Sequence, residues 1–271
     1  VSHEFPASDR IRVDFDDAGV AIVTLTRGGK LNALDPAMFA AMIEAGQALF
    51  DMPGLRCVVL TGEGRAFCAG LDLSTFQAML DSGAEPITQR TYGNANLFQQ
   101  AALQWRKLPV PVIAAVHGAC MGGGLQIAAG ADIRVAAPDA RLAVLEMKWG
   151  IVPDMGGFAL WRGLVREDVL RELTYTNREF CGTEALAMGF ATLVDADPLA
   201  RAIALAREIA TRSPTAIRAA KTLFNNAADL SLDDILIEES YAQHRLLGSR
   251  NQLEAMSSQL GGQPALFVDP T

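Results

Sequence analysis

Two acidic residues and a run of glycines are the parts of this chain that could do chemistry. Glu146 lies in Leu142-Ala143-Val144-Leu145-Glu146-Met147-Lys148-Trp149, where its neighbours are mostly apolar. Asp154 follows eight positions later, after Gly150 and Pro153 and before Met155-Gly156-Gly157. A carboxyl group in an apolar setting has a raised pKa and can exchange protons near neutral pH. Two of them on one non-helical loop can face a ligand from two sides. Each also has a plainer reading, Glu146 as the exposed end of a strand or a partner of Lys148, and Asp154 as a helix cap before Met155. Upstream stand Gly122, Gly123 and Gly124, followed by Leu125 and Gln126. A glycine turn that opens a helix presents unpaired backbone N–H groups, and with no side chains in the way a ligand oxygen can come close to them. The same turn could equally serve only to pack a strand against a helix.

The elements around these residues follow from pattern. Pro109 and Pro111 lead the β-branched run Val112 to Val116, a buried strand that His117 and Gly118 end. A small-residue helix from about Leu125 to Gly130 leads into a further strand, Ile133 to Ala136, and another is expected at Leu142 to Leu145. At the front, Ile11 to Phe15 and Val20 to Thr26 flank Asp16-Asp17-Ala18-Gly19 and read as a hairpin. Arg27 to Leu34 is a loop, after which Asp35 can cap a helix with Pro36 at its first position. Met38, Met42, Ile43, Leu49 and Phe50 recur there at helical spacing, so that face is core. Cys57 to Leu60 reads as a buried strand, Asp81 to Pro86 as an exposed loop, and Thr88 to about Lys107 as a helix. From Pro198 the pattern is helical almost to the end, with Asp195 or Asp197, Ser213 and Ser231 as helix starts. Short strands alternating with helices, then an all-helical tail, imply stacked ββα units over 1–197 and a helical region over 198–271.

Composition narrows the functions. At 271 residues, half of them hydrophobic, the chain can bury a sizeable core and is not disordered. A net charge of −8 argues against nucleic acid or an anionic membrane surface as partner. Cys57, Cys68, Cys120 and Cys181 show no metal-ligand spacing, so no metal site is expected and they read as small core residues in a reducing compartment. The amino end lacks the basic and apolar regions of a signal peptide, and no apolar run is long enough to span a bilayer. A soluble, cytoplasmic protein is expected. His117 reads as a packed or backbone-bonded residue, and Trp105, Trp149 and Trp161 as core aromatics that could also line a ligand pocket.

Taken together, several stretches resemble the crotonase superfamily, the enoyl-CoA hydratase/isomerase group. They are Lys30-Leu31-Asn32-Ala33-Leu34, Phe67-Cys68-Ala69-Gly70-Leu71-Asp72-Leu73, Met121 through Gln126, Glu146 through Gly157, and Glu254-Ala255-Met256. They stand in the family's order along nearly the whole chain. The resemblance implies an α/β fold, a crotonase-like spiral of ββα units with a C-terminal helical trimerisation region, assembled as a homotrimer or dimer of trimers. It implies an acyl-CoA substrate, with coenzyme A entering as part of that substrate and no separate cofactor. Carried over by position, the N–H groups of Leu71 and Gly123 would form an oxyanion hole for the thioester oxygen. Ala69, Asp72, Leu73 and Ser74 would line the path of the CoA moiety, with Lys30 near its phosphates.

The chain departs from the family's pattern where the reaction is chosen. Hydratases of the family use two glutamates, and here Gln126 stands at the first position and Glu146 at the second. Glutamine hydrogen-bonds but cannot accept a proton as a base. The Glu146/Asp154 pair instead has the spacing of the family's dienoyl-CoA isomerases, although those also carry an acid where Gln126 stands. Asp154 also falls where the family's aromatic dehalogenases place a nucleophile, but the histidine base they add is missing between Thr88 and Lys107. Isomerisation by Glu146 and Asp154 is therefore expected slightly ahead of hydration by Glu146 with Gln126 positioning the water. A non-catalytic acyl-CoA-binding or assembly protein is the competing class. The stretch Gly261 to Pro264 lacks the basic residues that often reach CoA phosphates near the family's carboxyl end.

Overall fold

The fold grows from strands that turn a corner. In the computed structural model, which describes residues 8–75 and 87–270, successive strand pairs divide between two sheets. Among these residues the strands are β1 (Ile11–Phe15), β2 (Val20–Leu25), β3 (Cys57–Gly62), β4 (Ala66–Cys68) and β5 (Val112–Val116). They continue with β6 (Ala119–Met121), β7 (Ile133–Ala136), β8 (Arg141–Ala143), β9 (Phe180–Cys181) and β10 (Leu193–Val194). One sheet has the order β1-β2-β3-β5-β7-β10 and the other β4-β6-β8-β9. Thus β3, β5 and β7 lie parallel in the first sheet, and their sequence partners β4, β6 and β8 lie parallel in the second. The corner between β5 and β6 is so tight that a Cβ on Gly118 (φ +54°) would collide with the Arg65 carbonyl. Helices Leu97–Lys107 and Gly123–Ala129 follow the second strand of two such units, which is the ββα repeat expected from the sequence.

Both faces of the larger sheet are covered. β3 and β5 are buried along their whole length, which explains their continuous apolar runs. One side packs on helix Pro36–Phe50 with Met38, Phe39, Met42 and Leu49. The other meets Ala202 and Ala206 of helix Pro198–Ala210, which pack with Val59, Ile113 and Val135. Cys57, Cys68 and Cys120 are wholly buried, and burial pushes the first two thiols up to about 12 and the third well above its usual range. At neutral pH they are unreactive core residues.

The capping expectations are met by direct hydrogen bonds. Asp35 Oδ1 accepts from Met38 N at 2.8 Å, Asp197 Oδ1 from Ala200 N at 3.0 Å, and Ser231 Oγ from Asp234 N at 3.2 Å. Ser213 caps the helix that Pro214 opens, and Asp195 accepts from the N–H of Asp197 without being the cap itself. Some boundaries differ. The helix expected from Thr88 begins only at Leu97, because Asn96 and Gln99 form a reciprocal capping box that stops it there. The glycine-turn helix starts earlier, at Gly123, and the strand expected through Leu145 ends at Ala143, where the chain leaves the sheet. Phe50, expected in the core, is half exposed because it sits on the last turn of its helix, beyond the sheet. Trp105 and Trp161 are buried, but Trp149 is half exposed. The loop expected at Asp81 to Pro86 lies outside the described residues.

One buried cation ties the C-terminal helices to this core. Lys221 Nζ donates to the carbonyls of Trp105 and Val110 at 3.1 and 2.8 Å and to Asp132 Oδ2 at 2.7 Å. Asp132 in turn accepts from Val112 N at the start of β5. Lys221→Met should therefore leave two carbonyls without this donor and the Asp132 carboxylate without its cation, lowering stability by roughly 3 kcal/mol. A urea midpoint unchanged from wild type would show that this contact adds nothing.

Candidate active site

Each glycine of the turn answers a different steric demand. Gly122 adopts φ +49°, a conformation that side chains rarely take, and its N–H bonds the Ala143 carbonyl at 3.0 Å. A Cβ on Gly123 would stand 2.7 Å from Met155 Sδ and 3.0 Å from Leu34 Cδ1. On Gly124 it would run into the Cys68 carbonyl. The turn is thus a tight packing device, and it also leaves backbone donors uncovered. Among the described residues the N–H of Gly123, first in its helix, donates to no other group.

A second segment comes alongside. After β4 the chain runs through Ala69 and Gly70 to Leu71, which bridges to Leu34. Leu34 N donates to Gly70 O at 2.8 Å and Asp72 N to Leu34 O at 2.9 Å, leaving the N–H of Leu71 without a partner among the described residues. A Cβ on Gly70 would lie 2.7 Å from the Met121 carbonyl and 3.5 Å from Gly123 N, so the two segments with free donors run side by side.

Arginines pin this segment. Asp35, the cap of helix Pro36–Phe50, is bound by Arg10 at 3.0 Å and lies 3.4 Å from Arg27, and Arg27 reaches Asp72 at 2.7 Å. Asp72 also accepts from the Ser74 N–H at 3.0 Å and hydroxyl at 2.6 Å. Hydrogen bonds from Ser74 and Arg27 hold the Asp72 carboxyl down to about 2. Both Asp72 and the Ser74 hydroxyl are therefore engaged within the protein, whereas Leu73 and Lys30 are exposed. Lys30 sits on the turn before Leu31, whose carbonyl receives the Ala69 N–H at 2.9 Å. The pins Arg10 and Arg27 went unnoticed in the sequence, since charged residues flanking a loop carry no pattern of their own.

Glu146 is buried, not the exposed strand end or Lys148 partner that its neighbours also allowed; Lys148 lies over the Trp149 ring instead. Burial pushes the Glu146 carboxyl up, opposed by weaker hydrogen bonds from the backbone and Gln126. Gln126 Nε2 donates to Glu146 Oε1 at 2.6 Å, while Glu146 Oε2 is buried and has no partner among the described residues. Asp154 is not a helix cap either, because the next helix starts at Gly157 with Gly156 before it. Its two oxygens accept from Asn96 Nδ2 at 3.2 Å and Gln99 Nε2 at 3.0 Å. Those amides were missed, although Asn96-Leu97-Phe98-Gln99 has capping-box spacing and could have flagged them. His117 is backbone-bonded, with Nε2 3.2 Å from the Gly64 carbonyl and its own carbonyl accepting from Phe67 N.

A buried carboxyl, a turn with a free N–H and a second free N–H beside it define a site for acid/base chemistry on a ligand with a polarisable oxygen. The chain matches the enoyl-CoA hydratase/isomerase family model over residues 16–259 and belongs to that family, within the crotonase superfamily. It is 36% identical over 203 residues to an enoyl-CoA hydratase of Mycobacterium tuberculosis, covering 73% of this chain and 74% of that one. It is 31% identical over 236 residues to the mitochondrial Δ(3,5)-Δ(2,4)-dienoyl-CoA isomerase of Mus musculus, covering 84% and 72%. The crystal structure of an enoyl-CoA hydratase from Polaromonas superposes with a TM-score of 0.86 at 30% identity, over 95% of this chain and 99% of that one. The crotonase-like fold and the enzyme family expected from the sequence are both confirmed.

The buried carboxyl makes stability depend on pH. Glu146 binds its proton more tightly when folded than its ordinary value of 4.5 allows. Its contribution is therefore full below that value and is lost as pH rises through the folded pKa. Glu146→Gln should match wild type in melting temperature at low pH and exceed it at pH 8. A difference between the two that does not change with pH would contradict this.

Proposed function

We propose that this protein moves protons on an enoyl-CoA thioester, with Glu146 as the principal acid/base and the N–H groups of Leu71 and Gly123 as the oxyanion hole. The observation that carries the reading is the Glu146 carboxyl itself, buried, held at one oxygen and unpartnered at the other. The free donors at Leu71 and Gly123 support it. Removing a proton beside a thioester carbonyl throws negative charge onto its oxygen. Two preorganised N–H groups stabilise that enolate, each worth roughly 3–4 kcal/mol. The CoA moiety runs along Ala69 and Leu73 toward Lys30.

Isomerisation is the preferred reaction. Glu146 takes a proton from the carbon next to the thioester, the electron pair shifts along the conjugated chain, and a carboxyl returns a proton farther out. Asp154, the second acid, on the loop that follows the 3-10 turn Glu146–Trp149, serves one of these transfers. The 31% identity to a dienoyl-CoA isomerase supports this choice. Hydration of a 2-enoyl-CoA is the second reading, favoured by the 36% identity to an enoyl-CoA hydratase. Against it stands Gln126, whose amide oxygen already accepts from Met155 N and Gly157 N and offers nothing to a water's proton.

The C-terminal helices support assembly as a trimer or dimer of trimers. Phe224, Leu236, Ile237 and Leu253 are each more than half exposed in the single chain, an apolar surface that wants a partner. Light scattering should report a multiple of three chains, and a monomer at working concentration would contradict it.

Turnover of enoyl-CoAs separates the reactions and tests for catalysis at all. Glu146→Gln should reduce activity by about a hundredfold or more in either case. Asp154→Asn should abolish conversion of a 3,5-dienoyl-CoA if the enzyme isomerises. Full activity in Asp154→Asn, with 3-hydroxyacyl-CoA accumulating, would establish hydration instead. No turnover of any enoyl-CoA by wild type would point to a binding protein.

A further inference from the structure

Gln126 stands where the sequence suggested a catalytic or water-holding side chain, yet its contacts describe a different task. It is 1% exposed and makes three hydrogen bonds to two other segments. Its Oε1 accepts from Met155 N at 2.8 Å and Gly157 N at 3.0 Å, on the loop that carries Asp154. Its Nε2 donates to Glu146 Oε1 at 2.6 Å. The two N–H groups require an acceptor and so fix which end of the amide is oxygen. The nitrogen is thereby turned toward the carboxyl. Both lone pairs of the Gln126 oxygen are taken, and an amide cannot accept the substrate's proton at nitrogen.

We infer that Gln126 is a positioning residue, which pins Glu146 Oε1 to the Asp154 loop and leaves Glu146 Oε2 as the single proton-transferring oxygen. This inference rests on the reading of Glu146 as the acid/base. It assigns roles that a glutamate or a methionine at 126 could not fill together. A glutamate offers an acceptor to both N–H groups but needs a bound proton to face Glu146. A methionine fills the space and offers neither. A Cβ on Gly122 would stand 3.4 Å from Glu146 Oε1, so this oxygen lies beside the glycine turn.

Charged neighbours do not compete for this carboxyl. On its own segment Lys148 lies over Trp149. Asp154, on the adjoining loop, is held by Asn96 and Gln99. Helix Glu167–Thr176, which packs against residues 146–149, engages Arg171 with Glu167, and Glu172 with Arg178. Helix Gly123–Ala129 carries no titratable side chain. The Gln126 amide is thus the one side-chain donor to Glu146 among the described residues.

The test compares Gln126→Met, Gln126→Glu and Glu146→Gln with wild type, measuring enoyl-CoA turnover against pH and a thermal melt at each pH. In Gln126→Met the carboxyl is free to turn, and kcat should fall about a hundredfold with KM little changed. The acidic limb of its kcat/KM profile should also move to higher pH, because the carboxylate has lost its donor. In Gln126→Glu the two carboxyls share one proton at low pH and keep the geometry, so activity should survive there. It should fall along a new alkaline limb as that shared proton leaves and the two charges repel. Wild-type kcat and an unmoved acidic limb in Gln126→Met, with Glu146→Gln inactive, would overturn the positioning role and leave the acid/base reading intact. If Gln126→Met fails to fold, a folded Gln126→Glu without the alkaline limb would overturn it equally. Activity retained in Glu146→Gln would instead remove the acid/base reading itself.

Discussion

A carboxyl group buried with only one of its oxygens bonded is the constraint around which this structure is arranged. Leaving water raises the free energy of the ionised Glu146, and backbone donors together with the Gln126 amide at Oε1 recover part of that cost. What remains is an Oε2 with no hydrogen-bond partner among the described residues, on a carboxyl whose pKa burial raises. The same amide binds Met155 N and Gly157 N, so the helix after the glycine turn, the Glu146 segment and the Asp154 loop are joined through one side chain.

The ββα repeat supplies the rest. Each unit turns from the first sheet to the second at a tight corner, and the backbone after β4 and after β6 arrives on the same side of the molecule. Main-chain donors therefore come from two different units, at Leu71 and Gly123, and neither needs a particular side chain. Side chains act instead as fasteners at a distance. Arg27 holds Asp35 and Asp72, which flank Leu34 and Leu71, and Asn32 sends its amide to the carbonyls of Glu63 and Ala66 at 3.1 and 2.8 Å. These fasteners tie down the segment that carries the Leu71 donor.

Asp154 is held differently from Glu146. Two amides from the start of helix Leu97–Lys107 bind its oxygens, and it is only partly buried. The two acids thus occupy unlike environments, Glu146 buried with a single side-chain donor and Asp154 partly buried with two. Unlike environments are what allow a pair of carboxyls to take opposite parts in moving a proton.

The alternation of apolar runs with turn residues was enough to read the ββα core, because strands buried on both faces and helices with one apolar face each impose their own spacing. Caps at Asp35, Asp197, Ser213 and Ser231 were equally legible, since a cap bonds an N–H only three residues away. The positions of Glu146, Asp154 and the glycine turn could be picked out by type and order. Their states could not. Glu146 is buried and takes its side-chain donor from Gln126, twenty positions earlier, and Asp154, read as a possible cap, instead meets Asn96 and Gln99, more than fifty positions before it. The helix expected from Thr88 was shortened by the same Asn96–Gln99 pair that receives Asp154. Local sequence determines what the nearest few residues can satisfy. Which partner a buried polar group finds is decided by the strands and loops that the fold brings alongside it, as Gln126 finds Glu146, Met155 and Gly157.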